Sequence, residues 1–310
     1  MDLNIIKKCG NVSQLCYINK VEYTEGNASG ISALQIKNQK LYAEILLSKA
    51  MDISLLSYCG DNISFVSKNS LVNPMQNKAF SSMFNGGFLY TCGLDNIGGP
   101  TAESPLHGRL ALSPAVLTKK EITFKNGELI AEIEGFTEQT ALFSQSLALK
   151  RNYKIYGDKI VLTDTITNNA YKDAGYMLLY HFNIGYPTLD EGVEISGNFE
   201  STNPRNKESA KYLKEFNIVT APEDNKEENV YIHKISGESA EIRVKNHRLK
   251  RSLIFEYNTK NLPYLMQWKS MASGDYALGI EPASTHLDNK ELTMIKSGES
   301  REFQITLRVI

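Results

Sequence analysis

The sequence predicts an all-β protein built as one large β-sandwich with few short helices. Three observations lead there. Apolar residues recur at every second position along most of the chain, the period of a strand with one buried face. Turn residues interrupt these runs at short intervals, as sandwiches and barrels require. Segments with helical spacing are rare.

The clearest elements are two hairpins. Residues 122–124 and 129–133 flank Lys125-Asn126-Gly127-Glu128, and Asn-Gly supplies the positive φ angles of a tight turn. Residues 147–155 and 160–167 flank a second turn, Tyr156-Gly157-Asp158. Further strand-like runs cover 176–182, 230–235, 240–244, 252–257, 264–268, 276–280 and 303–310. Helical spacing is confined to 206–216 and to a short stretch within 5–17. Residues 221–229 form a polar loop too short to separate two cores. With no internal repeat and no linker, residues 1–310 are expected to form a single domain.

Composition excludes several functions. The 310 residues carry a formal net charge of -1, and no basic stripe is visible, so nucleic acid is not an expected partner. No apolar run approaches the roughly 20 residues needed to cross a bilayer. The amino-terminal stretch lacks the apolar core of a secretion signal, which points to the cytosol. Cys9, Cys16, Cys59 and Cys92 form no C-x-x-C pair and have no histidine at zinc-finger spacing. Free thiols, with neither metal nor other cofactor, are the expectation.

Three segments break the alternation. Residues 84–115 hold six glycines, Asp95-Asn96 and then His107-Gly108-Arg109. Glycine at this density lets a backbone approach a ligand, or simply turn. In Tyr180-His181-Phe182-Asn183, His181 follows an apolar run and fits either a structural or a functional role. In residues 262–284, Glu281 ends an apolar strand. Tyr276, Leu278 and Ile280 lie on one face and Ala277, Gly279 and Glu281 on the other. The two small residues leave room for a ligand above the carboxylate, whose pKa burial can tune. Trp268, the one tryptophan, serves either as a sugar platform or as a core aromatic. His233, His247 and His286 read as structural or surface residues.

At these segments the sequence resembles the aldose 1-epimerase, or galactose mutarotase, superfamily, and most closely its bacterial DUF4432-type branch. The resemblance spans nearly the whole chain. It rests on GNVSQL at 10–15, AMDISLLSYCG at 50–60, the GG-x-L-x-TCGLDN-x-G stretch followed by LHGR, then YHFNIGYP and GIEPAS in that order. It implies a supersandwich with an open sugar cleft, and a catalytic trio of two histidines and one glutamate. By resemblance, His107 holds the sugar near its ring oxygen, His181 is the general acid and Glu281 the general base. The sequence departs from galactose mutarotases in lacking arginines just before His107; Arg109 follows it instead.

The implied reaction interconverts α and β anomers of a sugar. A base takes the anomeric hydroxyl proton, an acid protonates the ring oxygen, and the open aldehyde recloses on its other face. Asn85, Asp95, Asn96, Arg109, Asn183 and Trp268 are expected to contact the substrate, and Gly86 and Gly87 to shape the cleft. Two other readings stand beside this one. One is a glycoside hydrolase using Asp95 and Glu281 as its carboxyl pair. The other is a sugar-binding or sensing protein without turnover.

Overall fold

Alternation becomes strand wherever it was expected. The computed structural model describes residues 7–76, 79–288 and 291–310. In chain order the strands are β1 (Tyr17–Glu22), β2 (Ser32–Lys37), β3 (Leu41–Leu46), β4 (Asp52–Tyr58), β5 (Asp61–Asn62), β6 (Leu89–Leu94), β7 (Val116–Lys125), β8 (Glu128–Thr140), β9 (Ser146–Tyr156) and β10 (Lys159–Asn168). They continue with β11 (Ala174–Ile184), β12 (Glu194–Gly197), β13 (Phe199–Pro204), β14 (Asn229–Ile235), β15 (Ser239–Asn246), β16 (Arg251–Asn258), β17 (Tyr264–Ala272), β18 (Asp275–Ala283), β19 (Thr293–Ile295) and β20 (Ser300–Val309). The expected hairpins are β7–β8, turning at Asn126-Gly127 with φ of 52° and 84°, and β9–β10.

The strands form three sheets. β1 to β5 make a five-stranded sheet in sequential order. An eight-stranded sheet runs β12-β15-β16-β20-β10-β9-β8-β7. A seven-stranded sheet runs β13-β14-β17-β18-β11-β19, with β6 also paired to β11. The main core lies where the faces of these sheets meet. It takes Tyr176, Leu178, Tyr180, Phe182 and Ile184 from β11, Leu149 and Tyr153 from β9, and Phe255 from β16.

Among the described residues helix is confined to short pieces. The expected helix over 206–216 resolves into α2 (Lys207–Lys211), whose N-cap Asn206 accepts from the Ser209 N–H, and a 3₁₀ turn at Leu213–Glu215. A further α-helix, α1, is Phe80–Met83. Within 5–17 there is a 3₁₀ turn at Val12–Gln14; Ile5 and Ile6 lie outside the described residues. No helix among the described residues is long and apolar enough to cross a membrane.

The strand period decides where the chemistry goes. With even-numbered residues 176 to 184 of β11 in the main core, Met177, Leu179, His181 and Asn183 face the other way. Met177 and Leu179 join a second, smaller apolar cluster with Tyr90, Cys92, Met266 and Ala283. His181 therefore stands beside this cluster, on the far side of the sheet from the main core.

Candidate active site

Strand register brings the expected trio together. β11 lies antiparallel to β18, with Phe182 opposite Ile280 and Asn183 opposite Gly279; one step further along, His181 meets Glu281. β18 in turn pairs with β17, setting Trp268 opposite Gly279. His107 arrives by a different route. It sits in the loop after β6 with φ of 64°, a left-handed conformation that side chains other than glycine seldom adopt. Gly108 follows at φ +77, and a Cβ there would lie 2.4 Å from the Asn96 carbonyl oxygen. The turn is thus too tight for any other residue after His107.

The result is a cavity of about 300 Å³ whose lining includes His107, His181, Glu281, Trp268, Arg205 and Glu228. His181 Nε2 stands 3.3 Å from Glu281 Oε1, and both side chains are more than nine-tenths buried. The His107 and His181 rings meet edge to face at 5.9 Å, and His181 meets Trp268 in the same way at 5.5 Å. His107 Nδ1 lies 2.9 Å from the Ile97 carbonyl. A carbonyl can only accept, so the neutral ring carries its proton on Nδ1 and offers Nε2 as an acceptor.

Electrostatics follow from this burial. Desolvation pushes the Glu281 carboxyl up to about 8, reinforced by the Glu228 charge and opposed by Arg205. Desolvation also drives His181 down to about 3, with His107 adding to the fall and the neighbouring Asn183 side chain opposing it. His107 is lowered too, chiefly by burial. At neutral pH the His181–Glu281 pair therefore holds one proton between two groups, and burial rests it on the carboxyl. The resemblance makes His181 the acid, yet burial leaves its imidazole neutral at rest.

A family model described as Domain of unknown function (DUF4432) matches residues 28–309. The chain belongs to the DUF4432 family. No curated protein matches it. Among solved structures it is similar to a candidate aldose 1-epimerase from Klebsiella pneumoniae, with TM-score 0.88 and 21% identity over 94% of this chain and 83% of that one. It is also similar to a galactose mutarotase-like protein from Clostridium acetobutylicum, with TM-score 0.71 and 14% identity over 96% and 99% of the two chains. A galactose 1-epimerase from Lactobacillus acidophilus gives TM-score 0.63 and 11% identity over 95% and 99%. The fold of this DUF4432 chain is the galactose mutarotase-like sandwich.

Of the nine residues expected at the site, the DUF4432 chain brings His107, His181, Glu281 and Trp268 to the cavity wall. The other five lie outside its lining, and hydrogen bonds within the protein occupy most of their polar groups. Asn85 is buried, and its Oδ1 accepts from Lys49 Nζ at 2.6 Å. Asn96 spends its amide on the Gly98, Gly99 and Pro105 carbonyls and the Gly98 N–H, pinning the loop that carries His107. Asp95 accepts from Ser104 Oγ, the Arg109 N–H and the Arg109 guanidinium. Arg109 also donates to the Glu103 carbonyl, and it lines a different cavity, with Tyr90 and Leu112. Asn183 is fully buried, and its Nδ2 donates to the Gly87 and His181 carbonyls. Asp95 is not among the residues lining the cavity that holds Glu281.

One further expectation changes. The space beside Glu281 left by Gly279 is filled by the site itself: a Cβ there would lie 2.6 Å from Glu281 Oε1 and 3.1 Å from His181 Cε1. Four polar or aromatic wall residues were not foreseen. Arg205, on the chain just after β13, pairs with Asp288, and Glu228 accepts from the Trp268 indole at 2.8 Å. Neither stands in a recognisable pattern. Phe80 and Phe84 stack at 5.1 Å, and their spacing of four just before Asn85-Gly86-Gly87 was a readable signal. Among the described residues no cluster of three or more His, Cys, Asp and Glu could hold a metal ion.

Proposed function

We propose that this chain interconverts the anomers of an aldose by acid–base opening and reclosure of the sugar ring. The observation that carries the reading is the His181–Glu281 pair: buried, 3.3 Å apart, and at the wall of a cavity sized for a small ligand. The resemblance of the trio's order to that of mutarotases, and the fold shared with proteins named as epimerases, support it.

The chemistry needs two proton sites of opposite state. One group must accept the anomeric hydroxyl proton while the other donates to the ring oxygen, and reclosure reverses both steps. A pair holding one proton meets this need, and its proton count is the same before and after the reaction. In the resemblance-based assignment His181 is the acid and Glu281 the base. The resting proton on Glu281 then crosses the short gap to His181 Nε2 before ring opening. His107 Nε2 faces the cavity as a further acceptor, Trp268 offers an apolar platform, and Glu228 and Arg205 offer hydrogen bonds to hydroxyls.

The test is anomer exchange measured by NMR for a panel of aldoses, with the protein treated beforehand with chelator. Exchange well above the spontaneous rate is expected for at least one sugar and should be indifferent to chelation. Tight sugar binding with no acceleration would favour a sensing role instead.

A further inference from the structure

Asn183 was expected to touch the ligand, yet it is wholly buried. It lies two residues beyond His181 on the same strand, hence on the same face. Its Nδ2 donates at 3.1 Å both to the Gly87 carbonyl and to the carbonyl of His181 itself. Those two bonds set the amide's orientation: a flipped amide would point its oxygen at two carbonyl oxygens. Oδ1 is therefore turned the other way, and it is buried without a hydrogen-bond partner. His181 Nδ1 is the matching case, buried and likewise without a hydrogen-bond partner. Burial lowers the His181 pKa, and the neighbouring Asn183 side chain opposes that fall. Buried polar atoms left over in this complementary way call for a common explanation.

We infer that Asn183 is a positioning residue that holds the His181 proton on Nδ1, so that Nε2 always faces Glu281 as the working site. An acceptor-only oxygen beside Nδ1 admits only the Nδ1–H tautomer. Nε2 then presents its lone pair to Glu281 Oε1 and can receive that group's proton. When it does, Nδ1–H stays where it is and only the proton at Nε2 moves. Without Asn183 the other tautomer competes. It places an N–H where the pair needs a lone pair, so the carboxyl proton has nowhere to go. The inference rests on the reading of His181 as a proton carrier.

The test reads the tautomer directly, by long-range ¹H–¹⁵N correlation of the imidazole of His181 at neutral pH, beside anomer-exchange kinetics. In the wild type, Nδ1 should appear protonated and Nε2 unprotonated. Asn183→Ala should give a mixture of tautomers and a kcat lower by roughly 10- to 100-fold, the usual cost of losing a group that orients a working histidine, with KM little changed. Asn183→Asp keeps the acceptor and adds a charge. It should restore the Nδ1–H form and move the acid limb of the pH–rate profile upward. A merely structural role would lower the melting temperature in both variants and leave tautomer and pH profile alone. A wild-type His181 protonated on Nε2, or an Asn183→Ala protein with an unchanged tautomer, overturns the inference. If Asn183→Ala does not fold, the wild-type spectrum and Asn183→Asp still decide it. Because the tautomer is read without substrate, failure of anomer exchange in the wild type would count against the proposed reaction and not against this role.

Discussion

Arg151 and the His181–Glu281 pair are both ionisable clusters inside the same sandwich, and they are completed in opposite ways. Arg151 sits on β9, 1% exposed. It donates to both oxygens of Asp164, to Asp52, to the Ala50 carbonyl and to Thr91 Oγ1. Thr91 and Tyr180 close the remaining acceptors on Asp52 and Asp164. This network ties the five-stranded sheet at β4 to the eight-stranded sheet at β9 and β10, and to the seven-stranded sheet at β6 and β11. Glu281 Oε1 and His181 Nδ1, by contrast, make no well-formed hydrogen bond to any third group. A buried charge fully paired holds layers together. A buried pair left short of partners is a functional-site candidate.

The largest effect expected from this contrast is on rate. Glu281→Gln should lower anomer exchange by roughly two to four orders of magnitude, the usual worth of one general catalyst, while sugar binding persists and thermal stability holds or rises. Exchange NMR and a thermal melt on one preparation check both halves; a folded variant running at the wild-type rate would remove Glu281 from the mechanism. Arg151→Met should do the reverse. Leaving Asp52 and Asp164 buried without their cation should cost about 3–5 kcal/mol of stability, read as a fall in the denaturation midpoint, with exchange per folded molecule close to wild type. A large loss of turnover in a folded Arg151→Met protein would mean that the two clusters are coupled. Gly279→Ala comes next. Its methyl would press on Glu281 and His181, and overpacking costs about 1–3 kcal/mol, so the pair should spread and kcat should drop more than stability does.

The smallest effect is a pH signature. Glu281, raised from 4.5 to about 8, keeps its proton in the folded chain after the unfolded chain has lost it. Its contribution is complete below about 4.5 and is lost as pH rises towards 8. His181, lowered from 6.5 to about 3, contributes fully above about 6.5 and loses this as pH falls. The two slopes oppose each other between those limits, and a net fall in stability remains on the alkaline side as Glu281 gives up its proton. Melts of the wild type and Glu281→Gln across neutral to mildly alkaline pH should diverge, with the variant lacking the alkaline decline; parallel curves would show that Glu281 is ionised throughout. The pH–rate profile should be a broad bell whose limbs belong to the pair and not to either residue alone.

Alternation is a local property, and what it controls was legible in the chain. It assigned β11 and β18 as strands, and put Glu281 with Ala277 and Gly279 on one face of its own strand. Asn126-Gly127 announced its hairpin for an equally local reason, since two adjacent positive φ angles suit few other pairs. Which strands become neighbours is not local. Only the pairing of β11 with β18, and of β18 with β17, sets His181 3.3 Å from Glu281 beneath Trp268. Loops carry no period at all, so nothing in the order Asp95, Asn96, Arg109 revealed that these side chains bind one another instead of a ligand. Arg205 and Glu228 look like ordinary solvated charges until the fold carries them to the cavity rim. Arg151 looks like one more polar residue on a hairpin until three sheets close over it. A charge in a sequence has no dielectric of its own; the tertiary structure, by removing water, decides which charges bind layers together and which are left to move a proton.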